Sequence, residues 1–265
     1  MYYKEWLRIR RGLIVIVIMA AAFLLLHFIL LPIMDQPNSH VVVETNGHSA
    51  THAAHTQSSA DAAVPLSLVF AIAGVVAAIF AGIYGGSLSE ENDGHLALAW
   101  TKPVSRTRYA LGIMSVDLAF VAFVFALTVV VVAGIIYQHG GPHLVTVDRD
   151  AWFNLARFSL MAAAWFGLAQ ALTASLRHHS GTVRGVAVAI AAILLGLGSA
   201  GLPPIWHAAV TLLNYFNPLA YAAYSYPQPQ ALYPFATWGL DLAALAAIAT
   251  LGVALAIAQW RRLEA

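Results

Sequence analysis

Cysteine is absent from the 265 residues, so the chain has neither a disulfide nor a thiolate metal ligand. Charge is scarce as well. The 13 Lys and Arg and 12 Asp and Glu make up 9% of the chain, against about 25% in an ordinary soluble domain. A formal net charge of +1 excludes the strongly basic surface of a nucleic-acid binder, so nucleic acid is not an expected partner. No Gly-Lys dipeptide occurs, which excludes a GxxxxGKS/T phosphate loop. The apolar runs contain no HExxH and no GxSxG, and no catalytic residues are expected.

What is present is apolar: 60% of the residues are hydrophobic. Six runs, at residues 13–34, 64–87, 109–137, 152–176, 185–202 and 235–260, meet or approach the length of about 20 needed to cross a bilayer. Without water to satisfy the backbone, such runs must be helical. The third is long enough to protrude or tilt, and the fifth is marginal. The first has an apolar core of about 22 residues, beyond the roughly 7–15 of a signal-peptide core, so a retained helix is expected.

Basic residues give the orientation. Lys4, Arg8, Arg10 and Arg11 precede the first run, and Lys102, Arg106 and Arg108 lie between the second and third. Arg177 and Arg184 lie between the fourth and fifth, and Arg261 and Arg262 follow the sixth. The positive-inside rule places both termini in the cytoplasm. The expected fold class is an all-α membrane protein: six transmembrane helices, cytoplasmic N and C termini, and a single transmembrane domain over 1–265. Trp6, Tyr109, Tyr137, Trp152 and Trp260 fall at span boundaries, where interfacial aromatics belong. Residues 1–12 alternate aromatic or aliphatic with basic side chains and suit an interfacial segment.

Two outward loops differ sharply. Residues 35–63 are Ser, Thr, His, Asn and Ala, a composition that does not build a core. His40, His48, His52 and His55 fall within it, at spacings that would chelate a divalent metal if the segment were helical. A metal-binding membrane protein is therefore the alternative reading, although Gly47 and the polar composition oppose a stable helix there. Residues 203–234 are too aromatic for a free loop and too broken by proline for a span. Ile205, Trp206, Ala209 and Leu213 at helical spacing, then Asn-Pro, predict a short re-entrant or surface-lying helix pair before the last span.

The polar stretch "SEENDGHLALAWTKPVSRTRYALG", Ser89 to Gly112, sits between the second and third runs. Ser87 with Glu90 forms a capping-box pattern, and Leu96, Ala99 and Trp100 share one helical face. Pro103 ends that helix, and Ser105 is placed to cap the next. A short amphipathic helix within the loop 88–107 is the expectation.

This stretch resembles the first intracellular loop of type-2 ABC-transporter permeases. Glu90, Glu91, Gly94, Leu96, Leu98, Pro103, Val104, Ser105, Arg106, Leu111 and Gly112 match that pattern, while His95 and Ile113 depart from it. Phe216–Tyr221, "FNPLAY", resembles the segment before the family's last helix. The resemblance implies an exporter subunit of the bacterial cytoplasmic membrane. It would be surrounded by lipids and would work as a dimer with an identical or paralogous second permease copy. ATP and magnesium would sit on a separate cytoplasmic ABC ATPase, with no cofactor on this chain. Glu90, Glu91, Gly94, Leu96, Leu98, Trp100 and Pro103 would form the coupling helix seated on that ATPase. Phe70, Phe80 and Tyr84 are pathway candidates, facing an amphiphilic or hydrophobic cargo. The glycines of "LLGLGSAGL" mark the fifth helix as a candidate dimer seam.

Charges inside spans are costly and usually pair. Arg157 lies about five residues, roughly 8 Å, from the outer end of the fourth run, and Asp241 lies at nearly the same depth in the sixth. These two are expected to pair as a structural tether. Asp117, in the inner half of the third run, is at the wrong depth to join them.

Overall fold

The computed structural model describes residues 64–92, 105–140, 145–176, 179–198, 203–222, 224–225, 230–231 and 237–262. The chain divides into two compact units, Met1–Ala62 and Ala63–Ala265, and the description concerns the second. The expected first span, the interfacial segment 1–12, the His-rich loop and residues 93–104 lie outside the described residues.

The described chain is mostly helical. α1 spans Leu66–Tyr84, α2 Ser87–Asn92, α3 Arg106–Gly140 and α4 Ala151–Thr173. α5 spans Ser180–Gly198, α6 Pro204–Asn214 and α7 Trp238–Arg262, with a 3-10 turn at Pro218–Ala222 between the last two. Among the described residues, five helices are long and apolar enough to cross a membrane: α1 with its continuation to Glu90, then α3, α4, α5 and α7. The chain is a multi-pass membrane protein.

Local chemistry sets the boundaries. α1 stops where Gly85 and Gly86 let the chain turn against α4; a Cβ on Gly85 would lie 2.4 Å from that of Ala169. α3 begins where Ser105 accepts a hydrogen bond from the Arg108 N–H at 3.4 Å, the cap expected from sequence. At 35 residues, α3 extends about 52 Å, well beyond the roughly 30 Å hydrocarbon core. α5 is entered through His179, which holds a left-handed φ of 65°.

The 203–234 segment is helical only in part. α6 starts with Pro204 in its first turn, where a missing N–H costs nothing. The second member of the expected helix pair is the 3-10 turn, because Asn217 Oδ1 accepts from the Leu219 N–H at 3.1 Å and closes a local turn. Two short ladders lie outside the all-helical expectation. Val64–Pro65 (β1) pairs in parallel with Val145–Thr146 (β2), and Tyr224–Ser225 (β3) pairs antiparallel with Gln230–Ala231 (β4).

α4 is the centre of the bundle, packing on α7 along one side and on α1 along another, while α3 packs chiefly on α1 and also touches α4 and α7. The α4–α7 crossing is a backbone contact. A Cβ on Gly252 would lie 2.5 Å from the Gly167 carbonyl carbon, and one on Gly167 would lie 2.7 Å from the Ala249 oxygen. Small residues permit this approach, which replaces side-chain interlocking with van der Waals contact between the chains themselves. α5 and α6 stand at the periphery. Among the described residues Ala191 is the buried residue of α5, and Val210 that of α6.

Candidate functional site

A helix leaves carbonyls without partners at its C-terminus and N–H groups without partners at its N-terminus. α1 carries no acidic residue in its first turn, no basic residue in its last, and no side-chain cap at Pro65. Both ends are served from elsewhere.

At the C-terminal end the partner is Arg184 of α5. Its Nη1 donates to the Ile83 carbonyl and to the Gly82 carbonyl at 3.5 Å, and its Nε donates to Ser180 O at 3.2 Å. Its Nη2 lies 3.7 Å from Glu90 Oε1, with the Arg184 side chain 16% exposed and that of Glu90 51%. Gly86 makes room for the guanidinium; a Cβ there would meet Arg184 Cζ at 2.6 Å. A cation on the last carbonyls also complements the helix dipole.

The same corner is tied to α4. Gln170 Nε2 donates to Ser87 Oγ at 2.7 Å, Thr173 Oγ1 donates to Gly85 O at 3.2 Å, and Ser89 Oγ donates to Leu176 O at 2.6 Å. Ser87 thus opens α2 by accepting from Gln170 across the bundle. Leu88 is fully buried beneath the corner. α2 is the root of the polar loop, and three polar side chains and one apolar side chain hold that root to α4 and α5. Of the coupling residues expected from sequence, Glu90 lies in this root. The Glu91 side chain and Gly94, Leu96, Leu98, Trp100 and Pro103 lie outside the described residues.

At the N-terminal end of α1, Asp148 supplies the missing cap. Its Oδ1 accepts from the Ser67 backbone N–H at 3.0 Å, and its Oδ2 accepts from the Ser67 hydroxyl. Asn154 Nδ2 of α4 donates to Ser67 Oγ at 2.9 Å. The β1–β2 ladder joins the same two chain segments.

Near this end, Arg157 of α4, Asp241 of α7 and Tyr221 of the 3-10 turn are all fully buried. The Tyr221 hydroxyl donates to Tyr215 O at 3.0 Å. Burial pushes this hydroxyl above its ordinary range, the charges of Asp241 and Tyr215 push it further, and Arg157 opposes them. Arg157 and Asp241 are therefore both within electrostatic reach of Tyr221. The sequence singled out the first two by their cost in a span. It gave Tyr221 no role, although an Asn-Pro turn followed by a tyrosine after an apolar helix was the available signal. Asp117 is likewise fully buried, on α3.

Phe70, Phe80 and Tyr84 lie in the seam between α1 and α3. Phe70 stacks on Phe125 at 6.5 Å between centroids, Phe80 meets Phe120 edge-on at 6.3 Å, and Tyr84 meets Phe120 at 4.7 Å. Within one chain Phe70 and Phe80 are buried and Tyr84 is half-buried. Among the described residues no three His, Asp or Glu side chains are grouped to hold a metal ion. His40, His48, His52 and His55 lie outside that set.

Comparison with family models, with curated proteins and with solved structures finds no match.

Proposed function

We propose that the chain is the transmembrane permease subunit of an ATP-driven ABC exporter, inserted in a bacterial cytoplasmic membrane. Six helices would cross the bilayer with both termini inside. The loop following α2 would carry the coupling helix, with Glu91, Gly94, Leu96, Leu98, Trp100 and Pro103 against a separate ATPase. Two permease copies would enclose a pathway for an amphiphilic or hydrophobic cargo, with α5 and its glycines at the seam. The permease itself performs no covalent chemistry in this reading.

One observation carries the proposal: the polar loop has a root bonded into the bundle. A connector needs only to join α1 to α3. Here Ser87, Ser89 and Glu90 tie its first turn to α4 and α5, so a force on the loop reaches three helices. Hydrogen-bond networks and rigid secondary elements are among the routes by which conformational coupling travels. The motif between Glu90 and Gly112 and the apolar spans are in keeping with it.

The test is co-purification in mild detergent of an ATPase co-expressed from the genomic neighbourhood of this chain. The wild type retains it, and Glu91→Arg and Gly94→Pro lose it while the chain still reaches the membrane. Equal recovery with the variants would remove the coupling helix from the account.

A further inference from the structure

We infer that Arg184 is a latch, and that α5 with α6 is a hinged flap which this latch holds against the α1–α4 core. The first argument is the poverty of apolar attachment. α1 and α4 each bury ten or more residues, whereas α5 buries Ala191 alone among the described residues. Val186, Ile190 and Ile193 are more than half exposed, so within one chain few apolar side chains of α5 hold it to the α1–α4 core.

Gly82, Trp165, Leu168, Leu172, Ala187 and Val188 meet where α5 faces α1 and α4, with Arg184 beside them, around a space of only about 10 Å³.

The second argument is where the polar bonds fall. At one end Arg184 joins α5 to the Gly82 and Ile83 carbonyls and to Glu90. At the other, Asn217 Nδ2 donates to Ala191 O at 3.0 Å and Asn214 Nδ2 donates to Leu194 O at 3.1 Å. These amides join α5 to α6 and to the turn bearing Tyr221, and they move with α5 or serve as its pivot. The Arg184 contacts cross from α5 to α1 and α2 at the near end, so breaking them loosens that end while the Asn217 end holds.

Glu90 sets the strength of the latch. It is half exposed and stands at the root of the polar loop, so any basic group that competes for it weakens the hold on Arg184. The inference stands on α5 packing and needs neither an ATPase nor transport to be true.

The chain has no native cysteine, so nitroxide pairs report on it directly. Labels are placed at exposed Thr182 on α5 and Leu111 on α3, in the full chain in lipid nanodiscs. Wild type gives one narrow distance distribution. Glu90→Gln, at a half-exposed ion pair, raises a second, longer population about threefold, and Arg184→Gln makes the longer population dominant. Salt at about 0.5 M moves wild type the same way, because the screening length shrinks. Should Arg184→Gln not fold, Glu90→Gln and the salt series decide alone. A distribution unchanged by Glu90→Gln and by salt overturns the latch, as does equal broadening from Ser115→Ala on α3, far from the Arg184 contacts.

Discussion

Asp148 and Arg184 hold the two ends of one helix that neither belongs to. The carboxylate accepts from Ser67 at the start of α1, and the guanidinium donates to Gly82 and Ile83 at its finish. Their signs are those that the helix dipole favours at each end. α1 lacks caps of its own, so its place in the bundle depends on the Asp148 loop and on α5.

Removing one of these borrowed caps has a measurable cost. Asp148→Ala is expected to destabilise the fold by about 1–2 kcal/mol, as loss of an N-cap does, read as a lower thermal midpoint in detergent. Asp150 precedes α4 but makes no side-chain cap bond, so Asp150→Ala is expected to change the midpoint little. The reverse ranking would refute capping in trans.

The α4–α7 crossing makes a steric prediction. Gly252→Ala puts a methyl into the Gly167 backbone, which cannot move aside as a side chain can. Loss of the folded monomer peak in size-exclusion chromatography is the expected outcome. Gly134→Ala on α3 meets nothing within 4 Å and is expected to be neutral or to stabilise by up to about 1 kcal/mol.

Arg157 and Asp241 form the next test. Each is fully buried, and the sequence expectation is that they pair; for such a pair, stranding one buried charge by removing the other costs about 3–5 kcal/mol. Arg157→Gln and Asp241→Asn are each expected to reduce membrane-inserted yield severely. The double variant is expected to recover part of it. A cycle with strictly additive losses would separate the two residues.

How much of this was legible in the sequence follows from what each feature depends on. Span positions depend on local apolar content, so the runs at 64–87, 109–137, 152–176, 185–202 and 235–260 each contain one long helix. Ser105 was legible because a cap acts within its own turn. The break at Gly85 and Gly86 was not, because it answers to Ala169 and Arg184, more than eighty residues away. The Ser87–Glu90 pattern pointed to a local capping box, yet the Ser87 hydroxyl accepts from Gln170 instead. Arg184 counted only as a topology-setting charge, since nothing near it in sequence announces the carbonyls it would find. Tyr221 was legible only as the end of "FNPLAY"; its electrostatic link to Arg157 and Asp241 was not, because those residues come from α4 and α7.

The measurement that bears most directly on the central claim is a photocrosslink from the polar loop. A benzoylphenylalanine at Trp100, and a second in its place at Val147 on the opposite connection, are irradiated in native membranes. The account predicts an adduct from position 100 with a soluble subunit that binds and hydrolyses ATP, and none with that subunit from position 147. No adduct from position 100, or equal adducts from both, would contradict it.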